Sequence, residues 1–504
     1  MSRCLLSLSL LFFSLVGFSV AQADPLFTAE RASKAITLLQ DADSDGLVPA
    51  DYNTVSLVNL RDTLAADPAN PDKQKALDTA LVAALSLYVH DMWLGRVDPE
   101  ELDYGYNMTT KHAALNTRVN DMLIAEDPAT IAAALRPALP LYTALRTELA
   151  RYRQLAAAHP DSPALPPLPG KKLEAGSPWT GTAALAQWLV VLGDADAVAA
   201  VDEAGTYSGA VVDAVKHFQA RHGLDVDGVI GAQTLVALNT PLPQRVRQIE
   251  LAMERLRWLD ATLPGKKFVM VNIPQFTLWA YAPVDGVATP RLTMHTVVGQ
   301  AGKTETPIFA RTMSEVTFNP YWDVPGSIMV KEMLPKLQHD PDYLDKEEME
   351  RIDHNGTVYT GRFDQDARKA ILSGAQRIRQ RPGAKNALGK LELTFPNEHD
   401  IYMHDTPAKA FFTRSRRDFS HGCIRVANPV GLALFALEAN GGWDEAKIAE
   451  QGTAGVEKHV PLKERFPVVL AYLTANVDES GHAVFVQDIY NRDMKLAAAL
   501  GRRH

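Results

Sequence analysis

The chain is expected to be a multidomain α+β protein: a helical scaffold, a small three-helix module, and a mainly antiparallel β domain with a helical lid insertion. Three observations lead there. The 504 residues exceed what a single core organises and suggest about three domains. Apolar residues recur at spacings of three and four up to about residue 158, as in Leu81, Ala84, Leu85 and Leu87-Tyr88, and then alternate from Lys266 onward. Between these regimes, the stretch from Pro160 to Pro178 is proline-rich among small residues, the composition of a semi-rigid surface linker.

Taken in order, residues 1–23 read as a signal peptide: Arg3 is the charged start, Cys4 to Val20 the apolar run, and Ala21-Gln22-Ala23 the small-residue cleavage site. The mature chain is then expected to begin near Asp24. An uncleaved membrane anchor is the weaker alternative, because the run is near the lower length limit for spanning. Residues 24–158 form the scaffold. Within it, Asp41-Ala42-Asp43-Ser44-Asp45-Gly46 looks like the start of a calcium loop, but Tyr52 stands where a bidentate Glu is needed, so an acidic turn between helices is favoured.

The linker over 159–176 leads to a module at 177–240. There Val215, Phe218 and Gln219 share a helical face, Gly223 fits a helix C-terminal cap, and Thr234 helps start the last helix. A linking helix spans 241–265. The β domain spans 266–490, with short strands at Phe268 to Ile273, Phe276 to Tyr281, Leu292 to Val298, Val316 to Phe318, Leu391 to Phe395 and Ile401 to His404. The charged, helix-patterned segment 327–380 interrupts it and is read as a lid. Residues 491–504 are read as a C-terminal tail.

With 51 basic against 60 acidic residues, the formal charge is −9, which argues against nucleic acid as a partner. The 46% hydrophobic content is that of a globular chain. Of the two cysteines, Cys4 leaves with the leader, so Cys423 would be solitary in an oxidising compartment and unable to form an intramolecular disulfide.

A solitary thiol suggests nucleophilic chemistry if folding supplies a base. Asn428-Pro429 is a good helix start, so Cys423 lies about five residues before the cap, beyond the reach of the helix dipole. Activation then falls to an imidazole. His421 is two residues away in a Gly-containing turn, whereas His404 on an adjacent strand can present its ring directly. Asp405 follows His404 in a strand and points the other way, so a backbone carbonyl is expected to orient the imidazole. A zinc site built from His399, Asp400, His404 and His421 matches no helix-borne motif and leaves Cys423 unexplained. No metal and no cofactor are expected.

Two segments carry a family resemblance. The run from Phe218-Gln219 through Gly223-Leu224 and Asp227-Gly228 to Thr234 and Leu238-Asn239 resembles the peptidoglycan-binding domain of cell-wall enzymes. His404, then Ser420-His421-Gly422-Cys423 and Arg425, resemble the L,D-transpeptidase (YkuD-type) catalytic domain. Supporting matches are Val298-Gly299 with Thr306-Pro307, and Asn319-Pro320-Tyr321-Trp322-Asp323-Val324-Pro325. The segment Arg381 to Gly389, leading into Phe395-Pro396-Asn397 and His404-Asp405-Thr406-Pro407, is similar to the large, multidomain, lid-containing branch of that family.

That resemblance implies Cys423 as nucleophile and His404 as general base and acid. It implies an oxyanion and substrate-binding set of Gly422, His421, Ser420, Arg425, Tyr402 and Asn386. Backbone N–H groups around Gly422 and Cys423 would hold the oxyanion, and Arg425 a substrate carboxylate. Arg414, Arg416 and Arg417 read as a solvated charge run. The implied reaction is 3→3 cross-linking of peptidoglycan tetrapeptide stems, as donor and acceptor, through a cysteinyl thioester with release of D-Ala. Water or a lipoprotein lysine as acceptor, and a non-catalytic wall-binding protein, are the alternatives. Cell-wall synthesis proteins as partners, inhibition by carbapenems and a periplasmic location are implied by the same resemblance.

Overall fold

The computed structural model describes residues 25–161 and 165–501; the expected leader over 1–23 lies outside the described residues. Six helices open the chain: α1 (Ala29–Gln40), α2 (Thr54–Ala65), α3 (Pro71–Trp93), α4 (Thr109–Ile124), α5 (Pro128–Leu135) and α6 (Pro140–Ala158). Their ends follow local chemistry. Asn70 caps α3 by accepting from the Asp72 and Lys73 N–H groups, with Pro71 at the first helical position. The acidic turn after α1 is spent on ion pairs: Asp45 is buried and meets Arg136 at 2.9 Å and Arg146 at 2.8 Å.

Three further helices, α7 (Thr182–Leu192), α8 (Ala210–Arg221) and α9 (Ala232–Leu238), form the expected small module. Gln219 lies at its centre: its amide donates to Asp227 and to the Val229 carbonyl and accepts from the Gly228 N–H. Gly223 has φ +61°, the left-handed conformation expected of a helix stop.

Helix α10 (Leu242–Arg257) runs between the helical and β parts as a buried spine. Glu254 accepts from the backbone N–H groups of Arg96 and Val97 and pairs with Arg257 at 2.8 Å, while Arg257 also donates to the Tyr142 hydroxyl and the Asp45 carbonyl. A buried pair is costly to break because the survivor keeps its charge without a partner. Glu254→Ala is therefore expected to lower stability by about 3 kcal/mol, measured by denaturant unfolding.

The β domain is a sheet that closes on itself. Strands β1 (Tyr104–Gly105), β2 (Phe268–Asn272), β3 (Thr277–Val284), β4 (Val287–Gly299) and β5 (Ile308–Phe318) come first; β1 adds the scaffold to the edge of β5. Strands β6 (Trp322–Asp323), β7 (Met349–Asp353), β8 (Val358–Tyr359) and β9 (Gln376–Gln380) make a separate four-stranded sheet. Then β10 (Leu391–Thr394), β11 (Met403–His404), β12 (Asp418–Ser420), β13 (Ile424–Val426) and β14 (Lys458–Ala471) complete the main sheet. Its order is β5-β10-β11-β13-β4-β3-β2-β14, with β14 pairing back onto β5. Antiparallel pairings are the more numerous, but β11–β13, β14–β2, β12–β4 and β1–β5 are parallel.

Alternation assigns the faces. Leu391, Leu393, Met403, Ile424 and Val426 are buried in the core, so their neighbours Glu392, His404, Cys423 and Arg425 share the other face.

The segment read as a helical lid does contain helices, with α11 (Gly326–Ile328), α12 (Leu334–His339), α13 (Tyr343–Lys346) and α14 (Gln365–Leu372). It also contains β7, β8 and β9, onto which β6 pairs from just before the segment, a sheet that its charged pattern did not announce. Arg and Glu side chains occupy many positions of these strands, as in the largely buried Arg379–Glu350 pair at 2.6 Å, so the apolar alternation is weak. Val324, Ile328, Met333, Leu337, Leu344, Met349, Phe363 and Ile378 give the insertion its own small core.

Two helices follow β13, α15 (Pro429–Leu437) and α16 (Glu445–Thr453). The expected tail over 491–504 needs correcting. Its described part includes α17 (Arg492–Gly501), which buries Leu496, Ala499 and Leu500 and ties Asp493 to Arg255 at 2.5 Å. Short β15 (Ala475–Val477) and β16 (Ala483–Phe485) precede it, and the Ala483 carbonyl accepts from Arg221 of the three-helix module.

Candidate active site

Strand register brings the key residues together. β11 and β13 run parallel with Met403 beside Ile424 and His404 beside Arg425, and the Ile424 N–H donates to the Tyr402 carbonyl at 3.0 Å. β10 pairs with β11 so that Glu392 sits directly across from His404. The result is a row, Glu392, His404 and Arg425, with Tyr402 and Cys423 one step along the same face.

These side chains line a cleft of about 610 Å³ roofed by Ile328 of the insertion and by Tyr321, Trp322, Val324 and Pro325 just before it. Ser420 and His421 also line it. His421 Nε2 lies 2.6 Å from Glu332 Oε1, so the loop before Cys423 is joined to the roof.

The turn carrying Cys423 is clasped from several sides. Ser420 Oγ donates to the Cys423 carbonyl at 2.6 Å and accepts from the Gly422 N–H at 3.1 Å. Thr304 Oγ1 donates to the Ser420 carbonyl at 2.8 Å, and Thr306 Oγ1 to the Gly422 carbonyl at 2.7 Å. Gly422 has φ +120°, and a Cβ there would meet Ile401 Cδ1 at 3.1 Å. Gly422→Ala is thus expected to cost about 1–3 kcal/mol of stability and to slow acylation of Cys423; a melting curve and an acylation time course read the two effects.

Two expected roles change. The Gly422 N–H is occupied by Ser420 Oγ and is not a free oxyanion donor, whereas the Cys423 N–H makes no hydrogen bond among the described residues. Asn386 does not line the cleft. It is fully buried, its amide donates to the Pro320 and Arg381 carbonyls and its oxygen accepts from the Leu388 N–H, which makes it a brace under the roof.

His404 is buried, and its Nδ1 contacts the Asp405 carbonyl at 2.5 Å. A carbonyl only accepts, so Nδ1 carries the proton and Nε2 is left as the acceptor. This is the orienting contact expected from strand geometry; the Asp405 carboxylate points away, to Lys409 and to the Lys390 and Thr406 N–H groups. Burial, with Arg425 nearby, pushes the imidazole down to about 3. Burial pushes the half-buried Cys423 thiol up to about 11, against the favourable influence of the Tyr402 N–H and hydroxyl. Both shifts favour the neutral pair.

Arg425 is depressed by burial, lies over the Phe411 ring at 5.8 Å, and has no carboxylate within ion-pair distance among the described residues. The other arginines differ. Arg416 pairs with Asp418 at 2.6 Å, Arg414 packs on Phe411 and Phe419, and Arg417 is buried over Phe276, so only part of this run is solvated. Among the described residues no group of three or more His, Cys, Asp or Glu is placed to hold a metal ion. Sequence reasoning missed Glu392, Thr304 and Glu332. Only Glu392 had a signal, as the polar position in the alternating Leu391-Glu392-Leu393 strand.

A barrel-like sheet presenting a cysteine and a histidine from paired strands beneath an inserted roof agrees with the matches to known families. Residues 266–444 match the L,D-transpeptidase catalytic domain (YkuD), 19–149 the scaffold domain, and 181–238 the "Putative peptidoglycan binding domain". The chain therefore carries an L,D-transpeptidase catalytic domain together with a scaffold and a peptidoglycan-binding domain. It is 30% identical over 253 residues to a Haemophilus influenzae protein named "Putative L,D-transpeptidase", covering 50% of this chain and 49% of that relative. The match thus spans about half of the relative's length. A Clostridium acetobutylicum crystal structure, described as a fused Zn-dependent amidase/peptidase/peptidoglycan-binding domain protein, is 12% identical over 60% of this chain and 99% of its own. Its TM-score of 0.17 carries no argument. No described helix is long and apolar enough to cross a membrane.

Proposed function

We propose that the protein is a peptidoglycan L,D-transpeptidase that forms 3→3 cross-links between stem peptides. The observation carrying this reading is the convergence of Cys423, a carbonyl-oriented His404 and an Arg425 without an ion-pair partner in one roofed cleft. Cys423 attacks the carbonyl of the third, diamino-acid residue of a tetrapeptide stem. Because thiol and imidazole rest neutral, the thiol proton passes to His404 Nε2 as the sulfur–carbon bond forms. The Cys423 N–H faces the developing oxyanion, and such a donor is typically worth about 10²–10³ in rate. His404 then protonates the departing D-Ala amine, leaving a thioester. The side-chain amine of a second stem resolves it.

The domain division follows from this reading: a leader at 1–23, a scaffold at 24–158, a linker at 159–176, a wall-binding module at 177–240, a linking helix at 241–265 and a catalytic domain at 266–490 with its lid at 327–380. A wall substrate and a leader support a periplasmic location. Incubation of the full chain with purified tetrapeptide muropeptides tests the reading by mass spectrometry. Cross-linked dimer with one D-Ala lost supports it; free tripeptide alone makes the protein a carboxypeptidase, and unchanged substrate rejects catalysis of this kind.

A further inference from the structure

Two partly buried groups of opposite kind, the acid Glu392 and the guanidinium of Arg425, line the cleft without an ion-pair partner among the described residues. Glu392 is half-buried, and its side-chain hydrogen bond comes from Thr394 Oγ1 at 3.1 Å. No Lys or Arg lies within ion-pair distance of it among the described residues. The nearby imidazole, His459, is already engaged by Glu315 at 2.9 Å and Glu457 at 3.6 Å. Arg425, on the opposite flank of His404, has no carboxylate and a buried Nε without a partner. Half-buried charges without partners are costly, so both groups are suited to a ligand that supplies the missing ions.

The register sets the spacing. Glu392 faces His404, which faces Arg425, on three adjacent strands about 4.8 Å apart, so the acid and the guanidinium stand roughly 10 Å apart at their backbones. Both side chains line the same cleft, from the strands on either side of the one that carries His404. Cys423 sits one step along the same face, beside Tyr402.

We propose that Glu392 and Arg425 form the subsite for the acyl acceptor, Glu392 receiving the ammonium and Arg425 the adjacent carboxylate of a zwitterionic amino-acid end. The proposal rests on the transpeptidase reading and names what resolves the thioester. The ammonium bound at Glu392 loses one proton through that carboxylate to solvent. The resulting amine attacks the thioester carbonyl, a carbon–nitrogen bond forms and the carbon–sulfur bond breaks. The second nitrogen proton passes through His404 Nε2 to the leaving sulfur, restoring the Cys423 thiol. Burial, with Glu457 and Glu315 close by, pushes the Glu392 carboxyl up to about 7, a value at which it can both bind and release a proton near neutrality. Besides His404 and Arg425, the ionisable groups lining this pocket are Tyr321, Tyr402, Asp323, His399, Asp400, His421 and Cys423.

The test uses the full chain, a tetrapeptide stem as donor and a tripeptide stem with a free diamino-acid amine as acceptor. In Glu392→Gln, D-Ala is still released, but the ratio of cross-linked to hydrolysed product falls roughly tenfold to a hundredfold, as expected for a lost charge-assisted contact. The acceptor KM rises while the donor KM does not, and Glu392→Asp recovers part of the ratio. An unchanged ratio in a folded Glu392→Gln overturns the proposal. Should that variant not fold, the wild type decides: amidating the carboxylate beside the acceptor amine should raise the acceptor KM about tenfold, and an equal KM overturns the proposal. Failure of the wild type to release D-Ala at all would instead remove the transpeptidase reading.

Discussion

Cys423→Ala should leave a folded protein that takes up no covalent carbapenem adduct and releases no D-Ala from tetrapeptide stems. The expected loss is on the order of 10⁴–10⁶-fold, the scale seen when the nucleophile of an acyl-transfer site is removed. The side chain is half-buried and small, so the change costs little packing. The effect should therefore appear in intact-protein mass and in product formation, with the melting temperature little changed. A wall-binding protein without catalysis would show no adduct in the wild type either, which separates that alternative from the proposed one.

The second large effect belongs to His404. His404→Ala should slow acylation by about 10²–10⁴-fold, the usual contribution of a positioned general base. Its pH dependence is distinctive. With the imidazole pushed down to about 3, the base stays unprotonated as pH falls through the ordinary histidine range, and activity is lost only as pH approaches the folded value. The wild-type acylation rate should then stay flat from about pH 5 to 8. An acid limb near 6.5, the unperturbed histidine value, would mean that the cleft is more hydrated than the closed roof implies.

How much of this was legible in the residues varied with how local the signal was. The three-helix module and the helix after Cys423 were readable because the face shared by Val215 and Phe218 and the caps at Gly223 and Asn428 act within one or two turns. Cys423 and His404 stood out by residue type, and their meeting required only that two short strands be neighbours. Contacts made across distant segments were not readable. The Ser420 clasp on the Gly422 N–H, the Thr304 and Thr306 hydroxyls beneath the turn and the Glu332 contact to His421 each join positions that no periodicity relates. The C-terminal helix was missed because its apolar stripe at Leu496, Ala499 and Leu500 is short and gains its burial from α10. Asn386 sat in a stretch resembling the family, yet its amide is spent under the roof.

The roof links dynamics to chemistry. It joins the catalytic loop through His421 and Glu332, and the cleft beneath is where burial moves both reactive groups toward neutrality. The roof packs around a small core of its own.

In the proposed reaction Cys423 carries the acyl group. The direct measurement is intact-protein mass after rapid mixing of the full chain with a tetrapeptide stem and acid quench, followed by peptide mapping. The expected result is a mass increase equal to the stem minus D-Ala, located on the peptide that contains Cys423 and discharged by added acceptor amine. Release of D-Ala with no mass increase at any quench time, or an adduct mapped to another residue, would contradict it.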